Sequence, residues 1–542
     1  MSKRSTRSIN RGATLVLALI TGALGLVVPT SSATAAPAAK APAPVAWAQC
    51  PASELNGVPA AELPLYSCAN YAVPLDHERP KLGTINLALM RRAALDQAHR
   101  IGSLFLNPGG PGGSGFGMPK AGKNIFEPEV LDRFDLIGFD PRGVARSTPL
   151  RCFATQEDAD DVFGRMAALP VTAQEEKSTI KALKDYGRFC GRFAGPLLDH
   201  MSTEDVAQDL DQLRAAVGDN KLTYVGFSYG TMLGATYVNM FPKKARAIIL
   251  DGNVDPQLRV LDGVEYDRQR TDGGFQYAFD NFLTRCDSDP DCAFAGNARA
   301  KFTALHNYLR NVGPITLSDG SVWDEGAVIG TVTGVLYSPE DFAPLADLLQ
   351  VLYDTSHPSA AAASRKAVTV SATEANALKA KAKLGKLDIR PDSPYTSDDS
   401  YAAVNCSDKP FNNTIGEMPR IADKWERQIP DFGRYLAWGD PAICPVWPVQ
   451  DADAYRGPWN HRTDTPVLLF GNYYDPATQY KFAQRMSREL GNARLVSVDS
   501  FGHCILGGSQ CTDQIAADYL IDLATPGPNT VCHPDVQPFP SE

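Results

Sequence analysis

Histidine is scarce in this chain, at 8 of 542 residues, and no two cysteines are spaced as C-x-x-C. Without a paired-cysteine motif or a histidine cluster there is no convincing metal site, and neither metal nor cofactor is expected. Positive charge is also short: 52 Lys and Arg stand against 62 Asp and Glu, a formal net charge of −10. Binding to a phosphate backbone ordinarily needs a basic face, which sets nucleic acid aside as a partner. After Val28 no apolar run is long enough to span a bilayer, so no stable membrane association is expected. No internal repeat is evident. What remains, at 44% hydrophobic and 21% charged, is the balance of a globular protein with a large core.

One apolar run stands apart at the start. Lys3, Arg4, Arg7 and Arg11 precede a hydrophobic stretch from Ala13 to Val28, and Ala33-Thr34-Ala35 offers small residues for cleavage. That order predicts a signal peptide over residues 1–36 and a secreted, extracellular protein, with no cysteine at the cleavage point to carry a lipid. Residues 37–46 open with "PAAKAPAP" and read as a stiff linker or short pro-segment. In an oxidising compartment the 11 cysteines are expected to pair. Neighbours in sequence suggest Cys50 with Cys68, Cys152 with Cys190, Cys286 with Cys292, Cys406 with Cys444 and Cys511 with Cys532, leaving Cys504 single; spacing alone does not fix this connectivity.

Short apolar strands recur along the chain: "INLALMRRA", "GSLFLN", "FDLIGFD", "KLTYVGF" and "ARAIILDG", then "TPVLLFG" and "ARLVSVDS" near the end. Alternating with helical stretches, they predict a mainly parallel sheet with helices on both faces. Residues 256–463 break the pattern with helical segments, including the Ala- and Lys-rich "SATEANALKAKAKLG". We read 47–255 and 464–542 as two parts of one core and 256–463 as a cap inserted between them.

"GFSYG", residues 226–230, is a G-x-S-x-G motif between an apolar strand and the small-residue helix "TMLGATYVNMF". In that context Ser228 is a candidate nucleophile, exposed on a sharp turn near a helix N-terminus. An acyl-transfer nucleophile needs two backbone N–H groups for the oxyanion. The upstream loop "LNPGGPGGSG" offers Gly109 or Gly110, and Tyr229 follows the nucleophile. A phosphate-binding loop would need a following Lys-Ser/Thr, which is missing. The serine also needs a base and an acid to orient it. His503 lies directly after the last apolar strand, whereas His200, His306 and His461 do not follow strand ends, and Asp475 sits in a Pro-closed turn after the preceding strand. The order Ser228, Asp475, His503 suits such a sheet. Asp251, after "AIIL", is the competing acid, and Asp499 falls within or at the end of a strand.

Taken together, "GGPGGSG", "DLIGFDPRGVARSTP", "YVGFSYGTMLGATYVNMFP", "VLLFGNYYDPATQY" and "FGHC" resemble the secreted tripeptidyl aminopeptidases of actinomycetes, a branch of the prolyl-iminopeptidase-like α/β-hydrolases. The resemblance runs from about Trp47 to Cys532. It implies an α/β-hydrolase fold with a helical cap, Ser228 as nucleophile, Asp475 as acid, His503 as base, and release of tripeptides from peptides or proteins with a free N-terminus. Two positions depart from the family pattern: Pro108 stands where iminopeptidases carry a histidine, and Cys504 follows the base where small residues are common. Cap carboxylates are expected to hold the substrate's α-amine, with Asp408, Glu265 and Asp267 as candidates. An extracellular carboxylic-ester hydrolase with the same triad is the alternative.

Overall fold

A computed structural model describes residues 42–358, 370–381, 395, 399–449 and 454–539. The signal-peptide reading and the first part of the linker lie outside the described residues, as does the end of the Ala- and Lys-rich stretch beyond Lys381. In chain order the strands are β1 (Ala48–Gln49), β2 (Tyr66–Pro74), β3 (Thr84–Arg92), β4 (Gly102–Asn107), β5 (Phe134–Phe139), β6 (Leu222–Phe227), β7 (Ala245–Asp251), β8 (Ile315–Thr316), β9 (Val322–Trp323), β10 (Val467–Tyr474), β11 (Ala493–Phe501) and β12 (Val531–Cys532).

Among the described residues, ten of these strands form one sheet in the order β1, β2, β3, β5, β4, β6, β7, β10, β11, β12. The first three pairings are antiparallel and the rest parallel. Every residue of β4 and β5 is buried. This is why they read as unbroken apolar runs rather than alternating ones. The apolar runs in the sequence begin at β3, and β2 precedes them in the sheet. That strand mixes Cys, Asn and Pro into its alternation yet pairs along its whole length with β3, from Tyr66 opposite Arg92 to Pro74 opposite Thr84.

The strand order reverses beside β4, so the loops leaving the carboxyl ends of β4, β6, β7, β10 and β11 meet at one edge of the sheet. Such a switch point is where open α/β sheets carry their ligands. The register brings those ends level: Asn107 pairs with Gly226, Phe227 with Asp251, and Asp251 with Phe470.

Between β7 and β10 the chain is mainly helical, with the β8–β9 hairpin among the helices. These helices bury an apolar cluster of their own around Phe279, Phe302, Trp323 and Leu349. It reaches the sheet at Phe501, whose ring stacks on Tyr474 with centroids 4.4 Å apart. The five disulfides join the five sequence-neighbour pairs, and Cys504 is the free cysteine. No helix among the described residues is long and apolar enough to cross a membrane.

Candidate active site

Ser228 leaves β6 with φ +55°, a left-handed conformation that costs a non-glycine residue energy and clusters at functional sites. The flanking glycines make the turn sterically possible. A Cβ on Gly226 would come 2.4 Å from the Gly230 carbonyl oxygen, and one on Gly230 would come 2.9 Å from the Asn107 carbonyl oxygen. The Ser228 carbonyl accepts from the Thr231 N–H at 2.9 Å and the Thr231 hydroxyl at 2.6 Å, closing the turn into the helix Gly230–Met240. The hydroxyl thus stands over a helix N-terminus, where negative charge is favoured.

His503 and Asp475 meet as their positions after β11 and β10 suggested. His503 Nδ1 lies 2.9 Å from Asp475 Oδ2 and 3.0 Å from Oδ1. Asp475 is buried, and its oxygens also accept from Ala477 N–H at 2.8 Å, Thr478 N–H at 2.7 Å and the Thr478 hydroxyl at 3.0 Å. Those bonds fix the carboxylate so that it can orient the ring. The His503 backbone N–H donates to the Tyr337 carbonyl at 3.0 Å, and the Tyr337 ring meets the imidazole edge-on at 5.1 Å. His503 Nε2 is buried without a hydrogen-bond partner, so the Ser228 hydroxyl is not yet bonded to it. Such contacts commonly tighten only once substrate is present.

The glycine loop divides its two candidates. Gly109 donates its N–H to Asn107 Oδ1 at 3.0 Å and takes φ +87° pressed against the elbow, where a Cβ would lie 2.4 Å from the Phe227 carbonyl oxygen. Gly109 therefore shapes the turn, and its amide is engaged by the Asn107 side chain. Gly110 and Tyr229 line the cavity over Ser228. Asp140 anchors the far end of the loop, accepting from the Ser114 hydroxyl at 2.5 Å and the Phe116 N–H at 3.1 Å.

Asp251 is fully buried and does not touch His503 Nδ1, the position held by Asp475. Its carboxylate accepts instead from the N–H groups of Ile505 and Leu506, at 2.8 and 2.9 Å. Its carbonyl accepts from the Ser228 N–H at 2.8 Å and the Cys504 thiol at 3.3 Å. Burial lifts the carboxyl from 3.8 to about 6 despite those amide bonds. Burial likewise pushes the Cys504 thiol well above its usual range, so this sulfur is a weak donor rather than a second nucleophile. Asp499 lies within β11.

A cavity of about 460 Å³ opens over Ser228 and His503. Its outer wall, from the helical region, carries Arg259, Arg270, Lys409 and Asp440. The structure puts the three acids nominated for the substrate amine elsewhere. Glu265 pairs with Arg268 at 2.7 Å and is partly exposed. Asp267 is buried behind the wall, with both oxygens 3.0 Å from Lys409 Nζ. Asp408 accepts from the Thr203 N–H at 2.9 Å and the Thr203 hydroxyl at 2.5 Å; that hydroxyl also bonds the Tyr229 phenol. Each was attractive for its charge, but none of the three lines the cavity. Asp440, which also bonds Lys409, is the carboxylate in the wall, and the sequence reading missed it. Its signal lay in the Cys406–Cys444 pair, which brings "NCSDKP" beside "GDPAIC". The close Cys152, Cys190 and Asp399 group is no ready metal site, because its two sulfurs form a disulfide.

The sheet, its switch point and the strand-end loops define an α/β hydrolase. Residues 102–335 match the alpha/beta hydrolase fold family and residues 429–532 the family described as TAP-like protein. Serine protease Hip1 of Mycobacterium tuberculosis is 31% identical over 520 residues, covering 90% of this chain and 91% of that protein. Carboxylesterase B of the same organism is 30% identical over 482 residues, covering 86% of each. A tripeptidyl aminopeptidase of Streptomyces lividans is 28% identical over 501 residues, covering 87% of this chain and 84% of that protein. The chain belongs to this TAP-like family of α/β-hydrolase serine hydrolases.

Proposed function

We propose that the protein is a secreted serine exopeptidase that releases short peptides, tripeptides first among them, from free N-termini. Ser228 attacks the scissile carbonyl while His503 Nε2 takes the hydroxyl proton. Asp475 holds the imidazole and stabilises its charged form without accepting the proton. The oxyanion rests on the N–H groups of Gly110 and Tyr229, each contributing about 3 kcal/mol to the transition state. His503 then protonates the leaving amine, and water releases the acyl group by the same route. Residues 256–463 act as the cap that limits the length of the acyl part.

The observation that carries this reading is the charged wall. An exopeptidase needs a carboxylate at a set distance from its nucleophile, and Asp440 lines the same cavity as Ser228. Relatives named as serine protease and tripeptidyl aminopeptidase support it. A second reading, an extracellular carboxylic-ester hydrolase, is favoured by the relative named carboxylesterase B. Chromogenic amides of one, two and three residues, each with a free or an acylated N-terminus, separate the two. The exopeptidase reading expects the free tripeptide to be cleaved fastest. Equal rates on acylated substrates, or cleavage of esters alone, would overturn it.

A further inference from the structure

Ser228 and His503 border a second cavity besides the one under the charged wall. It has a volume of about 830 Å³ and shares Pro108, Ser228, Tyr337 and His503 with the first. Its other walls differ in chemistry. Met118, Ile125, Phe227, Leu506, Val536 and Pro538 supply its apolar wall and, among the described residues, Glu340 and Asp535 its only charges, with none of the three cations of the first wall. It runs outward past the exposed Gly507, Gly508 and Asp535 to Val536, which is 78% exposed.

We propose that this groove binds the leaving part of the substrate and selects an apolar side chain on the residue that follows the scissile bond. The inference rests on the exopeptidase reading. Three directions diverge from the carbonyl carbon that Ser228 attacks: oxygen toward the amides of Gly110 and Tyr229, the leaving nitrogen toward His503, and the acyl chain. Gly110, Tyr229 and Asp440 all line the charged cavity, so the oxyanion and the α-ammonium belong there and the acyl part lies with them. The leaving nitrogen must lie beside the base that protonates it. The second groove is built from the residues directly after His503, Cys504 to Gly508. Length argues the same way: an acyl part of fixed length suits a cavity that ends on a charged wall, and a leaving chain of any length needs a groove that runs out to exposed residues such as Val536. Apolar side chains seated between Met118, Phe227 and Leu506 leave water, whereas a carboxylate there loses hydration without a cation to replace it.

The test compares free tripeptides extended by Leu-amide, Gly-amide or Asp-amide, with the plain tripeptide amide, whose leaving group is ammonia, as a measure of the acyl side alone. The wild-type protein should cleave before Leu with a kcat/KM about tenfold above that before Asp. Val536→Lys and Met118→Lys should each invert or level that ratio while leaving the plain tripeptide amide unchanged, which also shows that the variants are folded. A flat Leu-to-Asp ratio in the wild type, or a ratio untouched by both variants, overturns the groove assignment and leaves the exopeptidase standing. Failure to cleave any free tripeptide derivative overturns the exopeptidase reading, and the groove assignment with it.

Discussion

Ser228 gives its backbone N–H to the carbonyl oxygen of Asp251 at 2.8 Å, while the Asp251 carboxylate holds the second and third residues after the candidate base. One buried residue therefore spans the turn of the nucleophile and the loop of His503. It fills the strand-end position that made it a rival for the triad acid, but works on backbone amides rather than on the ring.

Replacing Asp251 should accordingly harm positioning more than binding. Both loop amides bond the same oxygen, Oδ2, so in Asp251→Asn the two bonds weaken together as the charge is lost, and we expect kcat to fall about ten- to a hundredfold with KM little changed. Steady-state kinetics on a free tripeptide amide checks this. An unchanged kcat would show that the loop holds its geometry without the clamp.

The same residue gives a stability signature. Burial raises the Asp251 carboxyl from 3.8 to about 6, against the Ile505 and Leu506 amides and the His503 charge, with Asp475 adding to the rise. A carboxyl raised on folding binds its proton more tightly in the native state. Its contribution to stability is full below 3.8 and is lost as pH climbs through about 6. The loss amounts to about 3 kcal/mol for a shift of this size. Urea unfolding of wild type and Asp251→Asn at about pH 4 and about pH 7 should show a flatter profile in the variant.

Gly109 is set apart from Gly110 by the same kind of argument. With φ +87° and a would-be Cβ 2.4 Å from the Phe227 carbonyl oxygen, Gly109→Ala forces the loop off the elbow. A loss of about 2 kcal/mol in stability and at least a hundredfold in kcat is expected. Denaturant melts and turnover on the same preparation measure both. A variant as stable and as active as the parent would show that the loop has more room than its backbone suggests.

Asp440→Asn tests the charged wall. Lys409 keeps Asp267 as a partner, with both oxygens at 3.0 Å, so the fold should tolerate the change. Removing a charged partner for the substrate ammonium should lower kcat/KM on free tripeptides about ten- to a hundredfold. Substrates with an acylated N-terminus should change little. An equal loss on both kinds would assign Asp440 to the shape of the wall rather than to the amine.

The Cys406–Cys444 disulfide closes 38 residues and ties together the two segments that bring Lys409 and Asp440 into the wall. Replacing both cysteines by serine should cost about 4 kcal/mol on the loop-entropy account. Thermal unfolding reads this directly. A loss below about 1 kcal/mol would mean that the wall is held by packing rather than by the crosslink.

Much of the sheet was legible because its central strands are buried on both faces and leave unbroken apolar runs. β2 escaped because alternation with Cys and Asn looks like a loop until a partner strand is known. Ser228, Asp475 and His503 could be read together from position, each directly after a strand. Gly109 and Gly110 could not be separated in sequence, since the difference lies in one bond that the Gly109 N–H donates to the Asn107 side chain. The wall was less legible still. Asp408, Glu265, Asp267 and Asp440 are all carboxylates, and which one faces the cavity depends on how the helices that carry them are turned.

Tyr229, whose backbone N–H is proposed to meet the oxyanion, is tethered at its other end to Thr203 and through it to Asp408 in the helix Asp399–Asp408. The amide is thus held by a lever with one arm in the core and the other in the helical region. Anything that loosens Asp408 reaches the reacting carbonyl without touching the substrate. On the proposed mechanism it would be felt as a slower turnover at undiminished occupancy, which gives the helical region a hold on the pace of the reaction.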